Sequence, residues 1–192
     1  MSFNRDELDA IEAWTATAKP VSGIYYRSVE YRCMDPKEVL NGRGAALYGG
    51  RFASVGTPAV FLAESDSAAS EEVLARKRRL SGSAQIALDK YPRIVFGVAV
   101  SLQRVLDISK RGLPEKLLPV RQSCLAQDDI APSMELGDFL RARMIQGLVF
   151  PSAVGRGKNL IVFLEHCPTS ALEIHRACDA ACPPSDLASL VG

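Results

Sequence analysis

Tyr48-Gly49-Gly50-Arg51-Phe52 opens the stretch whose reading decides the fold, and it runs on through Pro58-Ala59-Val60-Phe61-Leu62-Ala63 and Ser65-Asp66-Ser67 to Glu72. Two adjacent glycines let the backbone turn where a side chain would clash. The arginine that follows carries a planar fork of donors suited to a phosphate or a carboxylate. Ala59 to Ala63 is a short apolar run behind Pro58, and it reads as a fully buried strand. Ser65, Asp66 and Ser67 are N-cap candidates for a helix over 68–80, and Glu72 falls in its first turns. Glycine turn, arginine, strand, cap and helix can thus set an Arg51 cation and a Glu72 anion on the rim of one cleft. A turn before a strand–helix pair with solvated charges has the same pattern, and local pattern alone favours that plainer arrangement.

Working outward, residues 6–17 have helical character, with Leu8, Ile11 and Trp14 forming a narrow apolar stripe that Pro20 and Gly23 end. Residues 23–29 are aromatic and β-branched and read as the first strand, with Arg27 inside it facing either solvent or a cleft. Asp35-Pro36 has the form of an N-cap and first helical position, and Gly42 closes that short helix. Beyond the central unit, Arg76-Lys77-Arg78-Arg79 near a helix end complements the helix dipole as a solvated face. Residues 93–101 form a continuous strand signal, 105–107 a second short one, and a helix is expected around 115–120. Ser133 stands where an N-cap would precede the helical spacing of Leu136, Phe139, Leu140 and Met144. Residues 147–150 and 159–164 are two further strands.

These elements predict a mixed α/β fold with a central mixed sheet flanked by helices. The expected organisation is one domain: an N-terminal helix over 1–22 in the same unit as a body over 23–165, then a loosely patterned tail over 166–192. The 192 residues suffice for a stable core, and 47% hydrophobic with 23% charged residues is ordinary for a globular protein. A net charge of +1 offers no field for nucleic acid. The first residues lack an apolar signal segment, and no run approaches the ~20 apolar residues that span a bilayer. A cytoplasmic location without membrane contact is expected.

Several chemistries are excluded by spacing. Asn41-Gly42-Arg43-Gly44 fails the dinucleotide pattern at Leu47, and the link over 151–158 fails the phosphate-loop pattern at Ser152 and Asn159. His166, Cys167, His175, Cys178 and Cys182 match no finger spacing, so no metal is expected. Only two histidines, both near the C-terminus, argue against a Ser-His-Asp or Cys-His nucleophile. What remains is an arginine pair, aromatics and one glutamate. Such a set can hold a pyrophosphate, stack on a ring and stabilise a cationic sugar. Cleaving a nicotinamide glycosidic bond asks for little more, because the pyridinium leaves as a neutral molecule without a strong general acid.

At this point the chain resembles the RES-domain toxins of bacterial toxin–antitoxin pairs. The resemblance is carried by Tyr26-Arg27, Gly49-Gly50-Arg51-Phe52, residues 56–65, Glu72-Val73-Leu74-Ala75, Ser133 with Gly137-Asp138, and residues 147–153. It implies a fold similar to ADP-ribosyltransferase toxins. It also implies an enzyme that degrades NAD by hydrolysis or phosphorolysis, with NAD as substrate and no cofactor. Its implied partner is a helix-turn-helix antitoxin of Xre type that blocks the site and supplies the only, indirect, link to DNA. Whether the toxin forms a homodimer is left open. The implied catalytic residues are Glu72, Arg51 and Ser133, and the implied NAD-binding residues are Arg27, Arg51, Phe61, Tyr26 and Gly50. This chain departs from the family's usual residues at Phe52, Ala53 and Phe61, and it has Ser28 where some members carry tyrosine. Two alternatives stand beside this reading: transfer of ADP-ribose to a protein or small molecule, and a catalytically weak binding protein of the same fold.

Overall fold

The computed structural model describes residues 2–33, 35–81, 93–110, 113–126, 129–153 and 157–178. Helix α1 (Arg5–Thr15) starts with a reciprocal capping box: the Asn4 side chain accepts from the Glu7 N–H at 3.0 Å, and Glu7 Oε2 accepts from the Asn4 N–H at 2.8 Å. Ile11 and Trp14 bury its apolar stripe. Strand β1 (Lys19–Glu30) begins earlier than the sequence suggests. Pro20 does not end a helix here; it sits in the strand at the register shift between Lys19 and Val21, where a missing N–H is tolerated.

Helix α2 (Pro36–Val39) has the expected Asp35 cap, whose carboxylate accepts from the Lys37 N–H. Helix α3 (Arg43–Tyr48) is not foreseen, since glycine disfavours helix. It forms because Gly42, at φ 67°, brings the chain so close to the sheet that a Cβ would stand 2.7 Å from Ala59 N. Strand β2 (Ala59–Ala63) has the bounds read from the sequence. Helix α4 (Asp66–Ser81) is capped by Ser65 Oγ, which accepts from the Ala68 N–H at 3.1 Å.

Strand β3 (Arg93–Asp107) is one long strand rather than two, and a 3-10 turn at Glu115–Leu117 leads into α5 (Leu118–Leu125). Helix α6 (Ala131–Arg141) is followed by β4 (Gly147–Pro151) and β5 (Lys158–Phe163). The tail expectation needs correction: residues 172–178 form β6 (Leu172–Cys178), paired antiparallel with β3. Buried Leu172 and half-buried Ile174 alternate there with exposed Glu173 and His175, a period-two signal too short to stand out. No helix of the described residues is long and apolar enough to cross a membrane.

The sheet order is β1-β2-β5-β4-β3-β6, and β1 also pairs with β3, so the first five strands close on themselves with β6 outside. All pairings are antiparallel except β3 with β4. The continuous apolar run of β5 has a simple cause. Leu160 and Val162 face one buried cluster with Val60, Leu62, Val98 and Val100, while Ile161 and Phe163 face another with Phe52, Leu136, Leu140 and Leu148. Both faces of the strand are covered, so no polar alternation is required.

The pairing of β1 with β2 is thin, consisting of Tyr26 opposite Ala63. Beyond it the strands part, and the Arg27 guanidinium donates to the Phe61 carbonyl at 3.1 Å. A side chain thus serves a carbonyl at the parting strands. The parting opens the cleft.

Candidate functional site

A cleft of about 990 Å³ lies along this opening, lined among others by Tyr26, Arg27, Gly50, Arg51, Phe61 and Glu72. That is the upper end of the usual range for small-molecule sites. Four elements, β1, the glycine turn, β2 and α4, therefore bring together six of the seven site residues expected from the sequence. Ser133 is the exception. It is fully buried in the first turn of α6, where its hydroxyl donates to the Ile130 carbonyl at 2.7 Å, and it is not part of the cleft lining. Nor is it the N-cap. Pro132 occupies the first turn, where its lacking N–H is harmless, and Asp129 Oδ1 accepts from the Ala131 N–H at 2.8 Å.

The glycine turn is held from below. Gly50 and Ala53 exchange backbone hydrogen bonds of 2.8 and 3.1 Å, which forces Phe52 to φ 65°. The left-handed backbone costs ~1–2 kcal/mol. Full burial of the Phe52 ring, against Phe150 at a centroid distance of 5.0 Å, offsets it, since burying a phenylalanine is worth ~1.5–3 kcal/mol. Helix α6 presses on the same turn through Gly137, where a Cβ would lie 2.0 Å from the Phe52 carbonyl oxygen. With Phe52 pointing inward, Arg51 lines the cleft and donates to the Ala126 carbonyl at 3.1 Å. Phe52 and Ala53 are both fully buried, so the departures at these positions concern packing under the turn.

A polar network fastens this arrangement from the other side. Ser54 Oγ donates to Asp138 Oδ2 at 2.6 Å, and Arg141 donates to Asp138, to Thr57 Oγ1 and, through two nitrogens, to Glu165. The Arg141 hydrogen bond is the main cause that holds the Glu165 carboxyl below the usual carboxylate range. A carboxyl whose folded pKa is depressed adds stability above its unfolded pKa, and that stability is lost as pH falls through the folded value. Arg141→Met is therefore expected to flatten the fall in Tm below about pH 4. An acid limb identical to the parent's in thermal melts across pH would remove this pair from the stability of the site.

Arg27 is nearly enclosed. Burial first, and neighbouring Arg93 second, push its guanidinium down to about 10, so it is still a cation at neutral pH. Arg93 is a cleft residue that sequence reading missed. It donates through Nε to Ser28 Oγ at 2.9 Å and through Nη2 to the Ser28 carbonyl at 2.7 Å. Its position at the start of β3 is an ordinary place for an arginine; only the pairing of β3 with β1 brings it beside Arg27.

Glu72 sits in the second turn of α4 with three donors on one oxygen. Oε1 accepts from Ser152 Oγ at 2.7 Å, Asn159 Nδ2 at 2.8 Å and the Ala153 N–H at 3.0 Å. Phe61 is half-buried, and the end of its ring lies where a Cβ on Gly50 would approach to 3.1 Å, so the absent side chain makes room for the ring. Leu47 and Tyr48 stand exposed on the lining, at 54% and 79%.

Among the described residues no group of three or more His, Cys, Asp or Glu is placed to hold a metal ion. Cys182 and the side chain of Cys178 lie outside the described residues, as do residues 154–156 and the side chains of the basic run 76–79. Burial pushes the Cys124 thiol up to about 12 and the Cys167 thiol up to about 11, so both stay protonated at neutral pH.

Residues 30–183 match the family model described as the RES domain. Among solved structures, a chain in the crystal structure of the M. tuberculosis MbcT–MbcA toxin–antitoxin complex is similar in fold. The TM-score is 0.76 at 22% identity, over 91% of this chain and 92% of that one. No curated protein matches the chain.

Proposed function

This chain belongs to the RES domain family, and we propose that it is the toxin of a toxin–antitoxin pair that depletes NAD by cleaving the nicotinamide–ribose bond. The observation that carries this reading is the Glu72 carboxylate, held by three donors in the same cleft as Arg27 and Arg51. Arg27, with Arg93 beside it, and Arg51 supply cations for the pyrophosphate. Tyr26 and Phe61 offer ring faces for a planar group. As the C–N bond breaks, its electron pair leaves with the pyridinium nitrogen and gives neutral nicotinamide. The positive charge then moves to the ribosyl oxocarbenium, where the fixed Glu72 anion stabilises it. Water, losing a proton, or phosphate adds to that carbon and completes the turnover.

The proposed partner is a helix-turn-helix antitoxin that covers the cleft. Exposed Leu47 and Tyr48 on the cleft lining give such a partner apolar surface to bury. DNA would be reached through the antitoxin, and the toxin itself would act in the cytoplasm.

Incubating the purified chain with NAD and following nicotinamide by chromatography tests the reading. Release with free ADP-ribose identifies water as acceptor, and release with phosphorylated ADP-ribose identifies phosphate. ADP-ribose adducts found by mass spectrometry would instead establish a transferase, and no release under any of these conditions would sink the proposal. In the same assay Phe61→Ala is expected to weaken NAD binding by ~1–3 kcal/mol, the usual worth of one stacking partner. A dissociation constant equal to the parent's would remove Phe61 from the site.

A further inference from the structure

We infer that Asn159 is a positioning residue for the Glu72 carboxylate, an inference that rests on the NAD-cleavage reading and names how its anion is held. Asn159 is 8% exposed, lines the cleft, and is paired on both sides, with Ala63 of β2 and Phe150 of β4. Its backbone is therefore anchored inside the sheet, and its side chain is presented from a rigid strand. Nδ2 donates to Glu72 Oε1 at 2.8 Å. A carboxylate accepts and does not donate, so this bond sets which way the amide points.

The other half of the amide is left unserved. Oδ1 is buried and has no partner among the described residues. A buried carbonyl without a partner destabilises a fold, and an apolar side chain of similar volume would avoid that cost. Stability therefore does not account for an asparagine here. What it supplies is a donor to Glu72. The other two donors, Ser152 Oγ and the Ala153 N–H, come from the segment that follows β4. Asn159 is the one donor of the three that rides on a strand with neighbours on both sides. Three donors occupy Oε1, which leaves Oε2 for the sugar.

The test uses the full chain carrying Asn159→Leu or Asn159→Asp, each also in a Glu72→Gln background, with Tm, kcat and KM for NAD measured. Both single variants are expected to lower kcat about 10²-fold, the cost of a catalytic group displaced by about 1 Å, with KM within about twofold. Asn159→Leu should melt at or above the parent's temperature, and neither substitution should lower kcat further once Glu72 is glutamine. A merely structural asparagine would do the reverse, lowering Tm and costing the same in both backgrounds. Parent-like kcat in a folded variant, or equal losses in the two backgrounds, overturns the inference. If the parent releases no nicotinamide, the NAD reading falls instead. The Asn159→Leu melt then decides the positioning role alone, a lowered Tm overturning it and an unchanged or raised Tm keeping it.

Discussion

Glu72→Gln is expected to slow nicotinamide release by ~10²–10³, the usual cost of removing one electrostatic contact to a transition state. Glutamine keeps an oxygen where Oε1 stands, so Ser152, Ala153 and Asn159 retain their acceptor and the fold should survive. The substitution removes the charge and little else. Alanine would be a poorer probe, because it removes the acceptor of three donors at once, and a buried donor left unpaired costs ~1–3 kcal/mol. Turnover is to be measured by chromatography on protein whose Tm matches the parent's. Parent-like turnover in that protein would exclude the Glu72 anion from the reaction.

Gly137→Ala is expected to cost about 3 kcal/mol, the top of the range for an inserted methyl in a packed core. The added Cβ would stand 2.0 Å from the Phe52 carbonyl oxygen, 2.6 Å from its carbon and 3.0 Å from its Cα. All three are backbone atoms of a turn already at positive φ, so no side chain can swing aside. Either α6 lifts or the turn moves, and in both cases Arg51 is displaced with Phe52. Tm should fall by roughly 6–12 °C for a chain of this size, and NAD turnover should fall with it. A melt within a degree of the parent would mean that α6 does not press on the glycine turn.

These two effects differ in how far they could be read beforehand. Residues 59–63 and 160–163 show their strand character as plain apolar runs, because both faces of each strand are covered and the chemistry is local to the run. Asp35 and Ser65 announce their helices because a cap involves residues two or three apart. Local signals also misled. Ser133 has the chemistry of a cap, yet Asp129 and Pro132 take over the helix start and Ser133 ends fully buried. Gly42 and Gly44 suggest a loop, yet contact with β2 makes a helix of 43–48.

The glycine turn, the arginines at 27 and 51, and Glu72 are legible as residues that suit a cleft around a phosphate-bearing ligand. Their convergence depends on the parting of β1 from β2, a matter of sheet closure that no local pattern encodes. Arg93 reaches Ser28 across 65 residues, and Asn159 reaches Glu72 across 87. Side-chain chemistry and short-range periodicity belong to the chain and can be read along it. Which donor faces which carboxylate is set by strand order and register, and these arise only when distant segments bury their apolar faces together.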